Sequence, residues 1–501
     1  FDVVEVQNVV LWTALISGYV EHGCGREALD CFKNMLKEQI QPNAVTLSCV
    51  LKACGISEEV QIGKELHSEI ERRGLLEKDH LVGNTLIDMY AKCGFVLFAR
   101  EVFDSIRMRD VVAWTSLIDG YANNAYDEEG LNFLKRIHIE CICPDHLMTI
   151  CGLKVCRNIG TIQKGKEIHT WLEEQEGCFH GNLILGNTLL DMYVKFGLLA
   201  NAQEVFNKLP KKNIASWSTL ISGYAEDGNG EEALKCFNQM QMSGFNPDAI
   251  TYVCILRSCA SIGAKTKAFE IHADIERQNL VETNVVIGNT LVDMYVKCGL
   301  LEKAQQVFND LAIQNVVAWN ALMAGYAQLG QAKRVLGLFI NMIAKGVIAD
   351  VVSFLALLSA CSHAGLVKEG SIIFHHMNDV SKMTLALEHC TCMVDTLSRA
   401  GHFDKALSII EEVPSSDRRP LWSALLGACC RTINVELARW AFEQSVVLNA
   451  KDAALYIYMA NIYSTAGMCE EAEKIEAWGL KNNAWGDEHS MPSLLSSIDY
   501  G

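Results

Sequence analysis

Tryptophans at positions 12, 114, 217, 319 and 422 recur every 102 or 103 residues, and a fixed period commits a chain to stacked, similar units. The first four head one phrase, Trp-x-x-Leu-(Ile/Met)-x-Gly-Tyr, at 12–19, 114–121, 217–224 and 319–326. Each period holds three variants. The first spans 9–43, 111–145, 214–248 and 316–350, 35 residues each. The second spans 44–79, 146–182, 249–284 and 351–386, 36 or 37 residues. The third spans 80–110, 183–213 and 285–315, 31 residues each, with a looser copy at 387–418. Apolar residues fall at helical spacing twice per unit. In the third type they run through 83–94, ending at the helix-stopping Gly94, and resume from Phe98 to Phe103. Pro42, Pro144, Pro210, Pro247 and Pro414 stand at the joints. A single helical hairpin cannot bury its apolar face, so the expected fold is all-α: a right-handed α-solenoid superhelix of helix-turn-helix repeats.

Composition narrows the function. Of 501 residues, 50% are hydrophobic and 21% charged, too apolar for a disordered chain. No uninterrupted apolar run of about 18 residues offers a membrane span. Lys plus Arg at 43 against Asp plus Glu at 60 gives a net charge of −17, which argues against sequence-blind binding of nucleic acid. Cysteines follow the repeat (Cys49/Cys54, Cys151/Cys156, Cys254/Cys259, then Cys93 and Cys298 before glycines), as do His67, His169, His272 and His375. That register favours packing thiols and packing or capping imidazoles over a metal centre, whose ligands must cluster. The tryptophans share the helical phase of Leu15 and Ile16 and are expected in the core, not as base-stacking platforms. A zinc deaminase requires His-x-Glu and Cys-x-x-Cys. His67-Ser68-Glu69 and His138-Ile139-Glu140 match the first half only, while Cys141/Cys143 and Cys390/Cys392 are spaced one residue too closely. No catalytic residue, metal or cofactor is expected.

The phrases Asp-Met-Tyr-Ala-Lys-Cys-Gly (88–94), Ile-Ser-Gly-Tyr-Ala-Glu (221–226) and Leu-Ser-Ala-Cys-Ser-His-Ala-Gly-Leu-Val (358–367), with this order of unit lengths, resemble the pentatricopeptide repeat proteins of the plant PLS class. Tetratricopeptide repeats lack the triplet alternation. The resemblance makes the three types P, L and S repeats. Residues 1–8 become the tail of an S repeat, 9–386 the array, and 387–418 a degenerate S repeat. Leu421-Trp-Ser-Ala-Leu-Leu-Gly-Ala-Cys and Tyr456-Ile-Tyr-Met-Ala-Asn-Ile-Tyr place E-type motifs at 419–480, and 481–501 is a divergent tail without the family's continuation into a DYW-type deaminase.

What the resemblance implies is single-stranded RNA read one base per repeat, by the fifth and the last residue. Carried onto this chain, Thr13 with Asn43 reads A, Asn84 with Asp110 reads U, and Thr115 with Asp145 reads G. Asn187 with Asn213 reads C or U, Ser218 with Asp248 reads G, Asn289 with Asn315 reads C or U, and Asn320 with Asp350 reads U. An acceptor-only Asp suits the imino N–H of G or U, whereas Asn can donate to A or C. The L-repeat fifth residues Ser48, Ile150, Val253 and Leu355 receive no base, and Thr391 with Arg418 departs from the pattern. The second residues Val10, Leu81, Val112, Ile184, Ala215, Val286 and Val317 are expected to sandwich the bases. The implied role is site recognition for C-to-U editing in a mitochondrion or chloroplast, with a targeting segment upstream of Phe1. A DYW-type deaminase or editing cofactor protein would join in trans through the E-type motifs. Splicing or transcript stabilisation, and a tetratricopeptide-like protein-binding scaffold, are the alternatives. An endonuclease would need clustered acidic ligands, and Asp487-Glu488-His489 is one isolated triplet. Asn, Asp and Thr also cap helices, the competing account of their recurrence. RNA reading requires the pairs to form a row on the concave side; a convex placement, or burial between hairpins, would defeat it.

Overall fold

A computed structural model describes residues 8–76, 78–107, 109–139, 145–174, 182–379 and 386–481. Among the described residues there are 29 α-helices and no strand. Each repeat is the expected pair of helices. P repeats pair two 13-residue helices, as in Val9–Glu21 with Gly25–Lys37. L repeats pair 14 with 13 (Ala44–Ser57, Val60–Arg72), and S repeats 13 with 10 (His80–Lys92, Val96–Ser105). The S unit is short because its second helix lacks most of a turn. Gly94 ends the first S helix at φ +80°, a conformation that costs an L side chain energy. A one-turn helix, Leu280–Thr283, precedes Val285–Lys297 and was not foreseen.

The chain divides into two units, residues 1–258 and 259–501. Within the first, the first helices of successive hairpins pack side by side from Val9–Glu21 to Ile214–Glu226. Second helices pack on their own partner and on the next first helix, giving two layers. The second unit repeats the scheme from Val285–Lys297 to Ala453–Thr465. Spacing between first helices is close. A Cβ added to Gly120 would lie 2.7 Å from Ala91 Cβ on the preceding helix.

The periodic residues find packing roles. Trp114 is fully buried between Phe103 (ring centroids 4.9 Å) and Phe133 (4.8 Å). Trp217 meets Phe206 and Trp319 meets Phe308, each at 4.6 Å. Burial pushes the Cys54 and Cys259 thiols up to about 12, so both stay protonated and inert near neutral pH. His67, His169 and His272 hydrogen-bond the hydroxyls of Tyr90, Tyr193 and Tyr295 at 3.1, 2.8 and 2.9 Å, tying an L second helix to the next S first helix. Leu397 holds the tyrosine's register in the degenerate S repeat, and His375 of the preceding L repeat is exposed. Among the described residues no group of three or more His, Cys, Asp or Glu is placed to hold a metal, and no helix is long and apolar enough to cross a membrane. Cys141, Cys143, Glu140 and the triplet at 487–489 lie outside the described residues.

Candidate nucleic-acid interface

The site is built from helix starts. The last residue of a repeat is the N-cap of the next first helix. The Oδ1 of Asn43, Asp110, Asp145, Asn213, Asp248, Asn315 and Asp350 accepts from the backbone N–H three residues on, at 2.7–3.1 Å. Asn182 and Asn284 cap the S repeats by accepting from the N–H groups two and three residues on, and Asp79 accepts from Leu81 N, two residues on. Capping therefore accounts for Asn or Asp at all three kinds of joint, where these residues are among the best caps. The cap also orients the side chain. Once Oδ1 faces the helix, Asn has an N–H₂ left to offer and Asp a second acceptor oxygen. One joint thus presents a donor or an acceptor according to a single atom.

The fifth residues are recessed between consecutive first helices instead of standing open, a burial that counts against the expected base reading at Asn84 and Ser218. Asn84, Ser218 and Asn320 are only 6%, 8% and 6% exposed, and Thr13, Thr115, Asn187 and Asn289 are half-buried. The reason is the close packing of first helices, whose seam runs through this position. Most fifth residues meet their own partner. Asn84 Nδ2 donates to both Asp110 carboxylate oxygens at 2.9 Å, Asn320 Nδ2 to Asp350 Oδ1 at 2.8 Å, and Asn187 Nδ2 to Asn213 Oδ1 at 3.2 Å. Ser218 Oγ donates to Ile214 O at 2.8 Å and lies 3.4 Å from Asp248 Oδ1. Thr115 Oγ1 bonds back to Val111 O at 2.7 Å, and Thr13 does the same to Val9 O. Structure thus brings the fifth and last residues together in four repeats; no such bond joins Thr13 to Asn43, Thr115 to Asp145 or Asn289 to Asn315.

Second residues are the opposite. Val10 is 67% and Ile184 68% exposed, and Leu81, Val112, Ala215, Val286 and Val317 are exposed too. The same register in the L repeats, Val45, Leu147, Ile250 and Val352, carries exposed aliphatics as well. Only the P and S positions were expected from the sequence, although an aliphatic stands at the first turn of each first helix from Val9–Glu21 to Val351–Ala364. Each last residue lies two positions before such a side chain, so polar atom and apolar shelf alternate along the surface.

Charge is arranged on the same stripe. Asp88 and Lys92 follow Asn84 by four and eight residues, on its helix face. They pair at 2.7 Å; Asp293 with Lys297 and Asp395 with Arg399 repeat this at 2.8 and 2.9 Å. Burial raises the pKa of Asp350, but hydrogen bonds from Asn320 and Ser353 outweigh it and hold the carboxyl below its ordinary value. The pattern stops at the degenerate S repeat. Arg418 makes no cap and turns back to donate to Val413 O (2.6 Å) and Glu411 O (2.7 Å), which leaves Thr391 without a partner of the usual kind.

Known proteins share this plan. The PPR repeat family profile matches residues 7–55, 212–261 and 314–378, the PPR repeat profile matches 84–111, 112–141, 187–214, 289–313 and 388–417, and the E motif matches 433–484. The Arabidopsis thaliana pentatricopeptide repeat-containing protein At1g11290, chloroplastic, is 34% identical over 483 residues, covering 96% of this chain and 59% of its own length. The putative pentatricopeptide repeat-containing protein At3g49142 from Arabidopsis thaliana is 33% identical over 507 residues, 100% of this chain and 68% of its own. The chain thus spans less than two thirds of the first of these relatives. The crystal structure of maize PPR10 matches in fold with a TM-score of 0.58 at 17% identity, over 96% of this chain and 80% of that one. Its complex with an 18-nt psaJ RNA element matches with a TM-score of 0.55 at 16% identity, over 95% and 85%. Triplet repeats, E motif and relatives agree: the chain belongs to the pentatricopeptide repeat family, in its PLS class with an E motif.

Proposed function

We propose that the chain is a sequence-specific single-stranded RNA-binding protein of an organelle, mitochondrion or chloroplast, that reads one base per P or S repeat. Its target follows the pattern A-n-U-G-n-Y-G-n-Y-U-n, with n opposite the L repeats. The supporting observation is the trio repeated in P and S units: an exposed aliphatic second residue, a recessed polar fifth residue, and a capping last residue whose second side-chain polar atom is not used by the cap. Aliphatic shelves suit the faces of an unstacked base, and the polar atoms between them suit its edge. The RNA bound by PPR10 and the chloroplastic designation of relatives support the same reading. The E motif points to C-to-U editing, with a deaminase supplied in trans through residues of that motif.

The full chain should bind an oligomer of this pattern at least about tenfold more tightly than a scrambled one of equal composition, a difference one or two good base contacts provide. Thr115→Asn should move the preference opposite that repeat from G toward U. Equal affinity for patterned and scrambled RNA would reject base reading. Unchanged conversion of every organellar cytidine when the protein is lost would reject the editing role alone.

A further inference from the structure

Two couples of repeats in this chain carry identical fifth and last residues. Asn84/Asp110 and Asn320/Asp350 are both Asn with Asp, and Asn187/Asn213 and Asn289/Asn315 are both Asn with Asn. Their surroundings differ at the third residue of the following first helix. Ser353 is fully buried, and its hydroxyl donates to Asn320 Oδ1 at 2.7 Å while lying 2.9 Å from Asp350 Oδ1. Ser216, also fully buried, lies 2.7 Å from Asn187 Oδ1 and 2.8 Å from Asn213 Oδ1. In the other member of each couple that register is held by Ala113 or Ala318, both fully buried and without a hydroxyl. There Asn84 Oδ1 and Asn289 Oδ1 are buried and meet no donor. For Asn84 the orientation is explained, because both Asp110 oxygens hold its Nδ2 and leave Oδ1 as the unpaired atom.

A buried acceptor without a donor is unfavourable, and an incoming N–H relieves it in full. An acceptor already holding a hydroxyl gains less from the same N–H. Resting on the base-reading role proposed above, we propose that the third residue of the following repeat sets how sharply a repeat discriminates. Ala113 and Ala318 leave the buried fifth-position carbonyl without a donor, for a base imino or amino N–H to supply, whereas Ser216 and Ser353 already donate to it or lie within hydrogen-bond reach. Repeats with the same two-residue pair are therefore unequal readers. The register extends to the hydroxyl pairs: Thr46 lies 2.7 Å from Thr13 Oγ1 and Thr251 2.7 Å from Ser218 Oγ, while Met148 leaves Thr115 without that neighbour.

The test uses the full chain and patterned oligomers in which one nucleotide at a time is replaced. The third nucleotide faces Asn84/Asp110 and the tenth faces Asn320/Asp350. In the unmodified protein the affinity ratio of U over A should be about fivefold or more larger at the third nucleotide than at the tenth, as a relieved buried acceptor implies. Ala113→Ser should collapse the ratio at the third nucleotide, and Ser353→Ala should raise it at the tenth. Equal ratios at the two nucleotides, unmoved by either substitution, overturn the inference and leave base reading standing. No preference for patterned over scrambled RNA in the unmodified protein overturns both. Should Ala113→Ser lose its helical circular dichroism, Ser353→Ala decides alone: a rise supports the inference and no change overturns it.

Discussion

At the scale of single residues the joint does two jobs with one side chain. Asp350 illustrates it, capping Val351–Ala364 through Oδ1 while accepting from Asn320. Asp350→Ala should cost about 1 kcal/mol in chemical unfolding, the usual value of a lost cap. Because its folded pKa is held down, the carboxylate's contribution is complete above the ordinary carboxyl value and disappears as pH falls through the depressed one. Asp350→Asn, which keeps a cap but cannot ionise, should therefore close its stability gap to the unmodified protein between about pH 7 and about pH 3. A gap independent of pH would show that ionisation plays no part. The joint's residue types were legible in the sequence, and so was their period. The recession of Asn84, Ser218 and Asn320 was not, since it depends on how closely neighbouring helices approach. For the same reason the third-position hydroxyls escaped notice, because Ser353 reaches Asn320 across 33 residues.

Helices are set by smaller features than their apolar stripes suggest. The glycine of the repeated Gly-Tyr phrase reads as a generic helix weak point, yet Gly120 faces Ala91 Cβ where added carbon would lie 2.7 Å away. Alanine is the better helix former by about 1 kcal/mol, but overpacking against a backbone-anchored methyl costs about 1–3 kcal/mol. Gly120→Ala should therefore lower the unfolding midpoint. Gly18, in the same phrase, meets nothing within 4 Å, so Gly18→Ala should raise stability by about 0.5–1 kcal/mol. Matching signs for the two substitutions in denaturant titrations would refute the packing argument. The tryptophan register was read correctly from helical phase, since Trp114, Trp217 and Trp319 stay locked to the phenylalanine of the preceding S repeat.

For the whole molecule, a formal charge of −17 would have to coexist with the polyanionic ligand proposed above. Basic residues on the same helix faces as the fifth residues, such as Lys92 and Lys297, are already matched by Asp88 and Asp293. Affinity for RNA should accordingly fall gently with salt, with a log–log slope of about −0.7 for each phosphate contacted and few contacts made. Isothermal titration across a salt series would expose a steep slope, which would assign binding to charge instead of base edges. The division into hairpins, their lengths and their order were all readable from period alone, because local helical packing repeats with the sequence. Since each joint residue proposed to read a base is also a structural cap, the alphabet open to drift or redesign is confined to residues that can start a helix. Under the proposed reading, exchanging Asn for Asp there would rewrite the message while keeping the cap, so new targets would become accessible by single substitutions without a detour through misfolded intermediates.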